Sequence, residues 1–485
     1  MPVVQHETDL FNTTETVRFL KQCQQQVAQA GKAKIASLSF EVEPISAWVV
    51  LQTLKRPHQR HFYYDPPHQP SIVGLDVVID NSAEGPTRFA QTQAFVQHWR
   101  SRFVYGPPRQ PTAEQPRPPL GHFFCSATFF DSATSGQSSS QSSSQSSGQS
   151  SGFDPAYVFV PRVQVVTQAA ASVVTFNFLI TAEAEIAQQV DQAYRQLRQL
   201  AGAVATRRTS GATPKVVTKD VAGFERAVAS VLHSVKKGPL HKVVLADVLD
   251  VVAPQAIDEV RSLQALRQNH PDCTVFSLSN GQGQAFIGAS PERLLSITQG
   301  RLTTDALAGS ASRSGLKGID QQLAQSLLHS KKERYEHRVV VEFIVQQLRS
   351  LGLTPRYTLS PQLLQLLHIQ HLHTPISARL NPKTISPLEI LAKLHPTPAV
   401  AGLPRQLACQ LIRQHETFDR GLYAAPLGWI DTEGNSEFVV GIRSALIDGC
   451  KARLYAGAGI VAGSEPAKEL AEIKLKLQTL LNALV

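Results

Sequence analysis

Hydrophobic residues recur in this chain with two different periods, and the two kinds of run follow one another without a fixed beat. Leu38, Phe40 and Val42 alternate as on a half-buried strand, and strand-like runs return at YVFVPRVQVV (157–166) and SVVTFNFLI (172–180). AEAEIAQQVDQAYRQLRQLAG (182–202) reads as a helix. Val221, Phe224, Ala227, Val228, Val231, Leu232 and Val235 recur at helical spacing until Gly238-Pro239 ends the run. A strand, KVVLADVLDVV (242–252), follows, and short strands and long helices then alternate irregularly to the C-terminus. Rossmann and barrel folds need a strict strand–helix–strand beat, so the order points to an α+β enzyme instead. No internal repeat is present.

Two segments interrupt this pattern. SATSGQSSSQSSSQSSGQSSG (132–152) has nothing to bury and predicts a disordered surface insert, preceded by the proline-rich YGPPRQPTAEQPRPPL (105–120). Strand-like runs flank both, so they read as a loop within a sheet. The polar TRRTSGATPK (206–215) is where we expect the main boundary, dividing the chain into 1–215 and 216–485.

Composition narrows the class of protein. The chain has 485 residues, 42% hydrophobic and 18% charged, enough for a large globular core. No stretch approaches the ~20 uninterrupted apolar residues of a membrane span. The start, MPVVQHETDLFNTTE, lacks a basic region followed by an apolar one, so no secretion signal is expected. Five scattered cysteines without a CxxC spacing predict reduced thiols in a cytoplasmic protein. The net charge of +9 is dispersed, and its densest group, Lys331, Lys332 and Arg334, is interleaved with Glu333 and Glu336. A nucleic-acid binder concentrates such charge, whereas a dispersed excess suits a small anionic substrate. Charge alone does not choose between these; taken with the rest of the chain, neither nucleic acid nor membrane is expected as a partner.

Periodicity singles out three acidic residues. Ser330 and Glu333 form an S-x-x-E capping box, and in the helix it starts Glu336 shares a face with Val339, Val340 and Phe343. A carboxylate on an apolar stripe needs a buried ion pair or a metal. Glu469, Glu472 and Lys476 form a second stripe at spacings of 3 and 4, with Ser464 as the expected N-cap and Pro466 in the first turn. Spacing alone reads this stripe as a solvated face with a Glu472–Lys476 pair.

An ordered set of strings goes further: KVVLA (242–246), GASPERLL (288–295), ALAGS (306–310), KKERYEHRVVVEFI (331–344), QHLHTPI (370–376), LHPTPAVAGLP (394–404), ETFDRGLYAAPLGW (416–429), VVGIR (439–443) and YAGAGIVAGSEPAKELAEIKLKL (455–477). Together they resemble the chorismate-utilising enzymes, which include anthranilate synthase large subunits, aminodeoxychorismate synthases, salicylate synthases and isochorismate synthases. The wording of 394–429 resembles the isochorismate synthases, with a leaning to those of menaquinone and phylloquinone synthesis. No amidotransferase with a nucleophilic cysteine is fused to the chain, which disfavours amination from glutamine, and no obligatory amidotransferase subunit is expected.

The resemblance implies two largely antiparallel sheets packed face to face, with helices outside. The first ~215 residues would add strands to that body and carry no separate activity. It implies magnesium-dependent conversion of chorismate to isochorismate, with water added at C2 and the 4-hydroxyl lost. In those terms Lys242 is the base that activates water and Glu292 the general acid. Glu336, Glu469 and Glu472 would be the Mg²⁺ ligands. Gly309, Ser310, Thr374, Ala399, Arg443, Tyr455, Gly457, Gly459 and Lys476 would contact the substrate. His395 matches a family position and is read as packed structure at least as readily as catalytic. A salicylate synthase, an aminating enzyme, and a silent protein that only binds are the alternatives.

Overall fold

The computed structural model describes residues 13–106, 120–132, 152–203, 215–217, 221–367, 369–381 and 385–484. The Ser/Gln-rich insert, apart from Ser132 and Gly152, and the polar segment as far as Pro214 lie outside them.

Among the described residues, twenty strands join into one hydrogen-bonded network with two arms. One arm runs, in spatial order, Phe103–Tyr105, Lys34–Val42, Ser172–Ile180, Ala156–Thr167, Ser71–Ala83, His61–Asp65, Thr274–Ser279, Gln284–Ser290, Ser444–Asp448, Lys451–Ile460 and Lys242–Val252. The other runs Gln362–Gln365, Ile369–Arg379, Arg301–Ser312, Arg293–Thr298, Ser436–Val440, Pro426–Asp431 and His122–Ala127, and then joins Ala156–Thr167. Every pairing is antiparallel except that of Lys34–Val42 with Phe103–Tyr105. The two expected sheets are thus one continuous network. Ala156–Thr167 is long enough to serve both arms, since 156–159 pair with 124–127 while 163–167 pair with 172–176.

The arms pack face to face. Phe62 of one arm stacks on Phe124 of the other with ring centroids 4.6 Å apart, and both are buried. Burying such a ring contributes about 1.5–3 kcal/mol, which makes these aromatic layers a main source of stability. Strands from residues 34–180 pair with strands from residues 274–279 and 426–431, so both halves of the chain share one core.

The helical signals resolve closely. Val221–Lys237 is a helix, Lys242–Val252 is a strand, and Ser330 caps Lys331–Ser350 by accepting from the Glu333 N–H at 3.3 Å. The capping box is only half made, because the Glu333 carboxylate turns to the Ser310 N–H instead. One expectation fails: Ser464 does not cap the Pro466–Leu481 helix, where Glu465 holds the N-cap position. The Ser464 hydroxyl is already engaged by the Val461 N–H at 3.1 Å, within the preceding turn. Among the described residues no helix is long and apolar enough to cross a membrane. All five cysteines are free.

Candidate active site

Two neighbouring strands cross from one arm to the other at the same place. Gln284–Ser290 continues through Pro291-Glu292 into Arg293–Thr298, and Ser436–Val440 continues through Gly441–Arg443 into Ser444–Asp448. The two crossings are tied together, since the Val440 N–H donates to the Glu292 carbonyl and the Ala289 N–H to the Arg443 carbonyl, both at 3.1 Å. Arg443 turns with φ of +49°, a left-handed conformation costly for a non-glycine residue and found where a site over-determines the backbone. Both crossings open onto a cavity of about 120 Å³.

Lys242 enters this cavity from the first residue of its strand. Its side chain is 1% exposed, so it does not reach water as a strand-end lysine usually does. Its ammonium meets Glu336 Oε1 at 2.8 Å. That approach needs Gly459 on the neighbouring strand, where an added Cβ would stand 2.5 Å from Glu336 Oε1. A buried pair holds the strand behind it. Arg420 donates to the Val400 and Val244 carbonyls and to Glu416, and Glu416 accepts from the Ala246 N–H.

Glu292 is 4% exposed and lines the same cavity. Burial pushes its carboxyl up to about 8; Lys242 partly opposes this and Asp305 adds to it. It is therefore a proton donor near neutral pH.

A line of polar side chains forms another wall. Ser310 Oγ lies 2.8 Å from His371 Nδ1, His371 Nε2 accepts from Arg443 Nη2 at 3.1 Å, and Arg443 Nη1 donates to Cys273 Sγ at 3.6 Å. Gly309 makes the bulge that turns Ser310 inward, with φ of +80°. Burial, with Arg443 and Lys476 adding, holds His371 well below the usual histidine range.

The acidic stripes meet beside this wall. Glu469 pairs with Lys332 at 3.2 Å, and Glu472 pairs with Lys476 at 2.6 Å while Lys476 also donates to the Gly457 carbonyl at 2.9 Å. Glu469 is buried, against the solvated-face reading, whereas Glu472 and Lys476 are half-buried at the cavity and make the expected pair. Burial raises Glu333, with Glu336 and Glu472 adding, whereas Lys476, Lys332 and Lys242 outweigh burial and lower Glu472. Four carboxylates thus share one field with three ammonium groups. Among the described residues, no three carboxylate, imidazole or thiol groups close on a common point.

Lys242, Glu292, Gly309, Ser310, Glu336, Ala399, Arg443, Tyr455, Gly457, Gly459, Glu472 and Lys476 all line the one cavity. Tyr455 stacks on Tyr423 at 5.2 Å between centroids. Glu469 reaches the site through Lys332. Thr374 is buried behind it, bonded to His337 Nε2 at 2.8 Å. His395 sits elsewhere, packed against Phe89 and Phe129 with its Nε2 on the Phe129 carbonyl, and burial pushes it down to about 3. Sequence reasoning missed His371 and Tyr423 in the wall, and Lys332 and Glu333 in the charge cluster. Only Glu333, one helical turn before Glu336, carried a signal that could have found it.

A buried amine, a buried proton-donating carboxyl and cationic side chains around one cavity define an acid–base site shaped for a small anion. The chain belongs to the chorismate-binding enzymes, whose family profile it matches over residues 18–485. It is 42% identical over 280 residues to the salicylate biosynthesis isochorismate synthase of Pseudomonas aeruginosa, covering 57% of each chain. To the isochorismate synthase MenF of Bacillus subtilis it is 38% identical over 259 residues, 53% of this chain and 55% of the relative. These matches span little more than half the length of the relatives. The fold resembles MenF, the menaquinone-specific isochorismate synthase from Escherichia coli, with a TM-score of 0.74 and 25% identity, covering 96% of this chain and 100% of that one. It also resembles anthranilate synthase component I from Streptococcus pneumoniae, with a TM-score of 0.65 at 20% identity over 86% and 92% of the chains, a likeness of fold.

Proposed function

We propose that this chain is an isochorismate synthase, which isomerises chorismate by adding water at C2 as the 4-hydroxyl leaves. The observation that carries this reading is a single cavity lined by both the Lys242 amine and a Glu292 carboxyl pushed up to about 8. Lys242 is the base that takes a proton from the attacking water. Glu292 gives its proton to the departing oxygen, which leaves as water. One water enters and one is released, so the reaction is an isomerisation. Arg443 and Lys476 supply positive charge for the two substrate carboxylates.

The donor chemistry suits magnesium, although each candidate carboxylate is paired with a lysine and, among the described residues, no three of them converge on one point. The donors are all carboxylate oxygens, as this hard cation requires, and the cradle left by the missing Cβ of Gly459 admits the Glu336 carboxylate. Glu336, Glu469 and Glu472 would hold the ion, displacing the ammonium groups they now pair with. Once bound, it would neutralise substrate carboxylate charge.

The product is read as a quinone precursor made in the cytoplasm. The full-length likeness to a menaquinone-specific enzyme supports the quinone assignment, and five free cysteines suit that compartment. The test is to incubate purified protein with chorismate and Mg²⁺ and to resolve the products. Isochorismate alone supports the reading. Salicylate, or product formed only with ammonia or glutamine, overturns it.

A further inference from the structure

Arg443, His371 and Ser310 all line the cavity, and they touch in that order. A guanidinium carries five N–H donors, has no acceptor and stays charged. The 3.1 Å contact between Arg443 Nη2 and His371 Nε2 therefore requires Nε2 to be the bare, accepting nitrogen. A neutral ring with a bare Nε2 carries its proton on Nδ1, facing Ser310 Oγ at 2.8 Å.

We propose that Arg443 locks His371 as the Nδ1–H tautomer, and that this lock makes the Ser310 hydroxyl an obligatory donor into the cavity, toward an oxygen of the bound substrate. A serine hydroxyl has one proton to give. Against a bare Nδ1 it would be spent on the histidine; against Nδ1–H the oxygen accepts and the proton points away. No protein acceptor for it is seen among the described residues. The Ser310 backbone is held by the Gly309 bulge and by Glu333, which accepts from the Ser310 N–H at 3.3 Å, so the hydroxyl cannot turn out of the cavity by moving the chain. His371 is a positioning residue that acts on the substrate through Ser310. Only the identity of the substrate rests on the proposed function; the tautomer does not.

Nuclear magnetic resonance of ¹³C,¹⁵N-histidine protein tests the lock directly, with the His371 signal assigned by its loss in His371→Asn. The neutral Nδ1–H form is expected from pH 8 down to pH 5, shifting toward Nε2–H in Arg443→Met. An Nε2–H ring or an imidazolium in the wild-type protein overturns the proposal. Kinetics with chorismate test the second half. Ser310→Ala is expected to lower kcat/KM about tenfold or more, the loss of one hydrogen bond to a charged or developing oxyanion. His371→Asn keeps an N–H near the Nδ1 position and should retain more activity than His371→Gln, which keeps only an acceptor near Nε2. The reverse order, or an unaffected Ser310→Ala, overturns the donation to substrate. Failure of the wild-type protein to convert chorismate would refute the function and leave the tautomer measurement to decide the lock.

Discussion

Gly459 and Glu336 meet inside the cavity because the glycine has no Cβ: a methyl there would stand 2.5 Å from Glu336 Oε1 and 3.1 Å from Lys242 Cε. Both atoms belong to the outer parts of long side chains, so they can give way where a backbone could not. Gly459→Ala is therefore expected to fold, with a melting temperature within a few degrees of wild type, because only side-chain ends must shift. The Lys242–Glu336 pair would be displaced, and kcat/KM should fall at least tenfold, since misplacement of about 1 Å costs catalysis heavily. Comparing calorimetry with steady-state rates separates the two effects.

Glu292 sets a pH dependence of activity and stability. Its carboxyl donates a proton only while it holds one, so kcat should decline as pH rises through about 8. Stability has the matching sign. The folded form binds this proton more tightly than the unfolded chain, whose glutamate titrates near the ordinary value. The contribution of Glu292 is thus fully present below the unfolded pKa and is lost as pH rises through about 8. Glu292→Gln should abolish turnover and stand up better than wild type at pH 9, by on the order of 5 kcal/mol in urea unfolding. A variant equally or less stable than wild type at pH 9 would contradict the burial argument.

Arg420 is a stability residue that lies behind the site. It is fully buried, paired with Glu416 at 2.5 Å and stacked over Phe129 at 4.3 Å. Arg420→Met leaves the Glu416 side chain in the core with only the Ala246 N–H as partner, and two backbone carbonyls without their donor, and should cost about 3–5 kcal/mol. Replacing both partners with apolar residues should cost less than that single change. Denaturant titration of the two variants reads the difference.

Magnesium binding can be measured without turnover. An ion that binds only the folded protein raises its stability by about 2.7 kcal/mol at a hundredfold excess over Kd. Scanning calorimetry with Mg²⁺ against EDTA should show that rise in wild type and its loss in Glu336→Gln and Glu469→Gln. Survival of the full shift in both variants would remove these residues as ligands.

Local pattern foretold local structure. The Lys242–Val252 strand, the Val221–Lys237 helix and the Ser330 cap are all as the sequence reads, because each depends on side chains within one or two turns of one another. Ser464 shows the limit of that logic, since its hydroxyl answers to Val461 instead of the helix that follows. The gathering of Lys242, Glu292, Arg443 and Gly459 could be expected from resemblance but not from spacing. His371 gave no signal, for nothing within a strand of alternating residues says that one histidine will meet an arginine 72 positions away.

By itself the amino-acid sequence determined the α+β class, the family and most of the elements, since hydrophobic period, caps and turns are short-range properties of the chain. Tertiary structure alone decided that the two sheets are continuous and that Glu292 and Arg443 sit at paired crossings between the arms. It also decided that Glu469 of the last helix is buried while Glu472 and Lys476 edge the cavity. The physical reason is burial: whether a glutamate is a solvated surface charge, a lysine's partner or a proton donor depends on what covers it, and the covering residues come from distant parts of the chain.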